Sequence, residues 1–438
     1  MKTRTNIESF RKTKVLKSKK PKIQKKTQKQ DKIQKQNKHS YYIVQCNNAL
    51  DTTILSKYLK MLGIIPDSKG MQYVEKQYKL LAAKKKLSKQ QFCDSYDKKL
   101  LVKIPPGQVT ADIFFYHINS TLLDKPFYRY NTFLSNVINV DYSYIDKGVL
   151  YTNILKYNSG SKKKLKYFIE TFMLSNKDKF KFPGDYILRP IYGFDGSGIL
   201  YVHNYKDLIN VIKYYDTHND YRNQPYSHQE ITVSKFITDL LLFKGRKCHL
   251  RIYYMVAILE GELSCFILDI GNVRLAAKPY NLDMPYTKDV HDTHSTDADY
   301  FFPYDFTLKN ISSLRKGNYS ENEFDTNTIL KGIREIGKGI GNIFGGLCKG
   351  NPESLLFQNQ QNGYHIYGLD ILVRDNLEPV LVECNNQPGL TSIIDNKELS
   401  EIVYGWINET ILEPLFKHPG HATEFARKHR TYIALNNS

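Results

Sequence analysis

The sequence contains no pair of cysteines at metal-binding spacing. Its six cysteines, at positions 46, 93, 248, 265, 348 and 384, form no CxxC and no His-linked zinc pattern. They read as free thiols in a reducing, cytoplasmic compartment. No apolar run approaches the ~20 residues of a membrane span, so no transmembrane helix is expected. No internal repeat is found either. No Ser/His/Asp or Cys/His nucleophile arrangement is recognisable along the sequence, which leaves only one assembled in space. Acidic residues are scarce at the start: the first forty positions hold 15 Lys or Arg against one Glu and one Asp, a net +13 of the formal +19.

Such a segment has too few apolar groups to offset its ordering entropy, and residues 1–40 are expected to be a disordered Lys-rich tail. No apolar core follows the charges, so a secretory signal is not predicted. The tail is either a solvated extension or a means of attracting an acidic partner, whether a nucleic acid, an anionic membrane or an acidic protein tail. What remains of the 438 residues suffices for two or three domains.

"YYIVQC" (41–46) reads as a strand, and Leu50, Ile54, Tyr58 and Leu62 after it recur at helical spacing. With a second strand at "ADIFFYHI" (111–118), a small α/β unit is expected over 41–125. A helix is expected around Lys147, and a surface turn at "NSGSKKKLKY" (158–167). Beyond residue 180 strands dominate: "YILRPIYGFDGSGILYV" as strand, loop and strand, then "KCHLRIYYMVAIL" and "LSCFILDI" joined by a tight "EGE" turn. Ile329, Ile333, Ile336 and Ile340 mark a helix despite several glycines.

Chemistry concentrates in three places. "YHIYGLDILVRDNLEPVLVECNN" reads as a hairpin whose two-residue turn at Asn376 and Leu377 sets Asp370 opposite Glu383, with Asn385 on the same face. Facing carboxylates repel each other. Either they lie at a solvated sheet end or they hold a hard cation such as magnesium through oxygen ligands. The glycine-rich "LRPIYGFDGSGIL" lies between two strands, where backbone N–H groups can close over a triphosphate, although a hairpin turn needs glycines in any case. Lys247, His249 and Arg251 alternate onto one strand face and suit an anionic ligand, or else line an exposed edge.

Together, in this order, these segments resemble the tubulin tyrosine ligase-like family over about residues 41–400. The resemblance implies an ATP-grasp core in an α/β (α+β) chain: a pre-core Rossmann-like domain at 41–125, a central subdomain at 126–235, a C-terminal subdomain at 236–415 and an extension at 416–438. "RPIYGFDGSGI" is similar to the family's Lys-Pro strand end and glycine loop, which implies nucleotide contacts at Arg189, Gly196, Ser197 and Gly198. "SKFITDLLLFKGRKCHLR" looks like the family hinge, which implies that Ser234, Lys235, Phe236 and Ile237 border the adenine, that Lys247 and His249 contact the nucleotide, and that Arg251, like Arg274 further on, is a catalytic residue at the phosphates. "VRLAAKPYNL" makes Arg274 the counterpart of a second phosphate-side arginine, and "YIDKGVL" makes Lys147 that of a nucleotide-binding lysine. "VHDTHST" resembles a degraded His-x-Thr-Asn-His stretch. "YGLDILV" and "LVECNNQPGL" resemble the magnesium segments, implying Asp370, Glu383 and Asn385 as ligands.

The resemblance thus implies ATP and Mg2+ as cofactors and ligation of a free amino acid (Tyr, Glu or Gly) onto an acidic protein tail such as that of tubulin. Two positions depart from the family pattern. Arg189 replaces a lysine, and His249 stands where the family has Asp. An ATP-grasp ligase of small molecules, or an inactive nucleotide- or nucleic-acid-binding relative, remain as alternatives.

Overall fold

Parallel pairing opens the fold. The computed structural model describes residues 39–44, 49–69, 113–116, 134–135, 147–160, 164–191, 198–220, 223–242, 245–281, 287–293, 300–302, 326–350, 362–385, 388 and 397–435, with a few single positions between 72 and 80. The Lys-rich tail expected at 1–40 lies outside them apart from its last two positions. Strand β1 (Ser40–Val44) leads into α1 (Ala49–Met61), which buries Ile54, Leu55 and Leu59. Strands β2 (Ile65–Pro66), β3 (Ile113–Tyr116) and β4 (Leu134–Ser135) then join in parallel register. Helix α2 (Lys147–Gly160) takes in the first three residues of the turn expected at 158–167. The Leu165 N–H donates to Asn158 Oδ1 at 2.6 Å, which ties the returning chain to the helix end.

A smaller sheet follows, built from β5 (Thr171–Met173), β6 (Tyr186–Pro190), β7 (Leu200–Val202) and β8 (Ile231–Lys235) in the order β5-β8-β6-β7, with α3 (Tyr205–Thr217) between β7 and β8 in sequence. Helix α3 begins where Asn204 and Asp207 form a reciprocal capping box, which satisfies orphan N–H groups at that end. Its Leu208, Val211 and Tyr215 pack with Leu188, Val202 and Val233 of the sheet.

The larger sheet is centred on β9 (Cys248–Leu259) and β10 (Glu262–Leu275). Glu260 and Gly261 join them with φ of 52° and 83°, the positive pair that a two-residue hairpin turn requires. Strand β10 runs on past the expected "LSCFILDI" through a bulge between Ile267 and Gly271. After α4 (Lys288–His291) and β11 (Tyr300–Phe302) comes α5 (Thr326–Gly350), then β12 (Gly363–Val373) and β13 (Pro379–Asn385). The chain closes with α6 (Lys397–Ile407), a π turn at Asn408–Leu412, α7 (Glu413–Lys417) and α8 (Ala422–Arg427). The strand order is β11-β10-β9-β12-β4-β3-β1-β2, with β13 on β12, so the early parallel strands extend the same sheet.

The isoleucine stripe of α5 is buried as expected, and two of its glycines are there for contact. A Cβ at Gly332 would lie 2.3 Å from Pro379 Cγ, and one at Gly337 2.7 Å from Ile267 Cδ1. Close packing thus outweighs the helix-propensity loss of about 1 kcal/mol per glycine.

Residues 126–235, expected as one subdomain, contribute to both sheets: β4 and α2 go with the larger one, and the smaller sheet runs from Thr171 to Lys235. The described part of the extension expected at 416–438, residues 416–435, contributes to the core. Ala422 and Ala426 are fully buried there, and backbone bonds from Ile267 N to Thr431 O and from Ile433 N to Cys265 O pair the chain end with β10.

Strand parity gives the larger sheet two unlike faces. On one, Cys248, Leu250, Ile252, Tyr254, Val273 and Leu369 meet α5 and α2. On the other, Tyr253, Met255 and Ala257 pack under α6 and the π turn, while His249 and Arg251 on the same parity have polar neighbours.

Candidate active site

Those polar neighbours come from three strands in register. β9 sets Arg251 opposite Asp370 of β12 on one side and Asn272 of β10 on the other, and His249 opposite Arg274. Asp370 in turn faces Glu383 of β13, the pairing expected from sequence. The route to it differs from the expected one. Arg374 N bonds to Glu378 O, closing a three-residue turn with Leu377 at φ 69°, and a bulge between the Asp370 and Ile371 pairs restores the register at the site.

Sequence alone left the facing carboxylates without a cation from the protein. The structure supplies one. Arg251 donates from Nε to Asp370 Oδ1 and from Nη2 to Asp370 Oδ2 at 3.0 Å, while its Nη1 donates to Pro388 O. Asn385 Nδ2 donates to Asp370 Oδ2 at 2.9 Å, and His249 Nε2 lies 3.4 Å from Oδ1. Burial by itself would push the Asp370 carboxyl up, but Arg251 and then His249 hold it well below the usual carboxylate range. Asp370 and Arg251 are therefore a charged pair with little exposure to water.

The oxygens of Asp370, Glu383 and Asn385 are of the type a hard divalent cation takes, with both Asp370 oxygens engaged by Arg251 and Asn385 and no group of three His, Cys, Asp or Glu side chains among the described residues that could hold a metal ion by itself. Asp370, Glu383 and Asn385 bring carboxylate and amide oxygens to one sheet end, and Glu383 and Asn385 are half-buried rather than sealed in.

A second cluster lies where β8 leaves the smaller sheet. Ser234 Oγ is 2.8 Å from Thr171 Oγ1 and accepts from Arg189 Nη2 at 3.2 Å, so the hydroxyl orients the guanidinium. Phe236 carries the Lys247 ammonium 5.0 Å from its ring centroid and meets the rings of Tyr201 and His291 edge-on. Lys247 is buried, and burial followed by the nearby Arg189 charge pulls its pKa down to about 8, with Asp292 partly opposing. Burial, then Lys247, likewise lowers His291 to about 4. Two buried cations side by side are costly without an anion.

The other expected residues divide. Ile237 is buried in a small apolar cluster with Leu240, Leu372 and Val380. Lys235 points outward, 3.8 Å from Glu170, so only its main chain can border a ligand. Gly198 has φ 70°, and a Cβ there would meet Tyr226 Oη at 2.7 Å, while its carbonyl accepts from Tyr215 Oη at 2.7 Å. Lys147 is the first residue of α2. Gly196 and Ser197 lie outside the described residues.

Sequence reasoning passed over His291, Thr293 and Tyr280 as site residues. Thr293 Oγ1 lies 2.6 Å from His249 Nδ1, and Tyr280 packs edge-on to His291 and donates to Thr238 O at 3.3 Å. The "VHDTHST" and "KPY" strings were the signal for them.

A family-level comparison places the chain. The profile of the Tubulin-tyrosine ligase family matches residues 135–421, which contain all the described site elements from α2 to β13. The chain belongs to the tubulin-tyrosine ligase family. It is similar to "Probable tubulin polyglutamylase ttll-9" of Caenorhabditis elegans, at 23% identity over 53% of this chain and 52% of the relative. It is also similar to "Probable tubulin polyglutamylase TTLL2" of Homo sapiens (27%, covering 51% of this chain and 34% of the relative) and to "Probable tubulin--tyrosine ligase PBY1" of Saccharomyces cerevisiae (27%, covering 44% and 26%). The chain thus spans about half or less of the length of these relatives. Its two sheets, with a glycine-bearing hairpin in the smaller one and the carboxylates on the larger, are consistent with an ATP-grasp core. No described helix of this family member is long and apolar enough to cross a membrane.

Proposed function

We propose that this tubulin-tyrosine ligase family member is an ATP-dependent carboxylate-amine ligase that joins a free amino acid to an acidic protein tail, of which tubulin's is the leading candidate. The observation that carries the reading is the pair of buried cations Arg189 and Lys247, close enough for one charge to depress the other's pKa, in a chain whose larger sheet sets Asp370, Glu383 and Asn385 on one face. Cations of that kind call for a polyanion, and oxygen donors beside them call for the hard metal that accompanies one.

In the reaction, a tail carboxylate oxygen attacks the γ-phosphorus of ATP and ADP leaves. The substrate amine then attacks the acyl carbon, phosphate departs and the ammonium proton is released to solvent. Lys247 and Arg189 neutralise the nucleotide phosphates, and Phe236, with the main chain of Ser234 to Ile237, borders the base. Lys147, Gly196, Ser197 and Gly198 also serve the phosphates in this reading. Arg251, fixed by Asp370 and Pro388, and Arg274 present positive charge where it develops on the transferring group. Magnesium held by Asp370, Glu383 and Asn385 would supply further charge neutralisation on the phosphates. No protein nucleophile is needed.

Mass spectrometry of acidic tail peptides after incubation with Mg-ATP and, in turn, Tyr, Glu or Gly tests the proposal. The expected result is a mass gain of one or more residues of a single amino acid, with ADP released. ADP release with small carboxylates and amines, but none with peptides, would move the reading to a small-molecule ligase. One observation favours a second reading. His249, in place of the family's Asp, is tied to Thr293 and Asp370, which removes a carboxylate from the site. Nucleotide binding without turnover would then be the outcome, leaving the Lys-rich tail as the binding element for a nucleic acid or other acidic partner.

A further inference from the structure

Asn272 is fully buried near the C-terminal end of β10, and among the described residues neither its Oδ1 nor its Nδ2 has a hydrogen-bond partner. An amide buried in this way is destabilising unless something else meets it. Its position is informative: it is the register partner of Arg251 and lies two residues from Arg274, on the same face. The groups around it are already engaged, Arg251 with Asp370 and Pro388 and His249 with Thr293. Arg274 is the exception, since its Nε is also buried without a partner.

The site face therefore holds, side by side, one guanidinium and one amide with unmet capacity. A phosphate would be served by cations alone. An amide offering one acceptor and two donors beside a guanidinium fits a ligand that carries both a positive and a negative group. We propose that Asn272 and Arg274 form the subsite for the free amino acid: the α-carboxylate lies on Arg274 and Asn272 Nδ2, and Asn272 Oδ1 accepts from the α-ammonium. Arg274 has five donors, enough to serve a carboxylate and a phosphoryl oxygen together. Asn272 is thereby a specificity-determining residue that holds the amine beside the carboxylate to be activated. The inference rests on the ligase reading above and deepens it.

The test is Asn272→Leu, a change of similar volume that removes the amide. With whichever of Tyr, Glu or Gly the wild type transfers, KM for the amino acid is expected to rise roughly ten- to a hundredfold. KM for ATP should stay within about twofold, and Tm should hold or rise because an unpartnered buried amide is gone. Asn272→Ser, which keeps a small polar group, should recover part of the loss. An unchanged amino-acid KM with a raised Tm would show an amide that only water satisfies and would overturn the proposal. Parallel rises in both KM values with a lower Tm would overturn it as well, by showing a structural role. If the wild type transfers none of the three, the ligase reading fails separately, and calorimetry of Tyr, Glu and Gly into protein with Mg-ADP decides. Binding of one of them, weakened by Asn272→Leu, upholds the subsite, and binding of none overturns it.

Discussion

One face of the larger sheet does two unlike jobs within a single pair of strands. Toward Leu259 its side chains, Tyr253, Met255 and Ala257, are sealed under Val403, Tyr404, Trp406, Ile407 and Ile411. Toward Cys248 the same parity carries Arg251 and His249, with Asn272, Arg274 and Asp370 beside them. The apolar half needs only close packing. The polar half needs each charge answered, and where the chain leaves a group unanswered, a ligand is the natural partner. The first half is rigid core that holds the second in register.

The largest expected effect comes from breaking the polar half. Arg251→Met leaves Asp370 charged and buried, which should destabilise by about 3–5 kcal/mol and abolish tail modification. Urea unfolding and ADP release measure the two. Adding Asp370→Leu should restore much of the stability and none of the activity. If the double variant regained activity, the division of labour drawn here would be wrong.

Ile407→Ala opens the apolar half. Because Ile407 is fully buried, a loss of about 2–5 kcal/mol is expected, with nucleotide affinity unchanged below the new melting range. A large affinity loss at full folding would erase the distinction between the halves.

A pH titration tests Lys247. Its folded pKa of about 8 lies below the ordinary lysine value of 10.5, so the unfolded chain binds more protons between those values and stability rises with pH across that window. Nucleotide binding runs the other way, since it needs the ammonium. Affinity for Mg-ADP should fall by roughly tenfold per unit above pH 8 and level off below it. Lys247→Met should remove that dependence. The smallest effect is expected far from the site, where losing the exposed Lys417 and Glu413 pair by Lys417→Ala should cost about 0.3–0.5 kcal/mol.

Much of this was legible in the residues. The long apolar strands, the "EGE" turn, the isoleucine stripe and the facing of Asp370 and Glu383 all follow from short-range periodicity. The bulge that restores the β12–β13 register was not legible, because a one-residue turn shift and a one-residue bulge cancel at the site. Nor was the Arg251–Asp370 pair, whose members are 119 positions apart on strands that become neighbours only in the fold. The C-terminal segment read as an extension because the family resemblance stops at about residue 400, and the burial of Ala422 and Ala426 depends on the surface they meet in the fold. Asn272 gave one weak sign, its spacing of two from Arg274, which takes on meaning only once the face is known to be the site.

The most direct measurement is calorimetric titration of Mg-ADP into the wild type, Lys247→Met and Ile407→Ala, with all three shown to be folded. The account predicts saturable binding to the wild type and to Ile407→Ala, and a loss of at least roughly tenfold for Lys247→Met. Equal binding to all three, or none to the wild type, would contradict it.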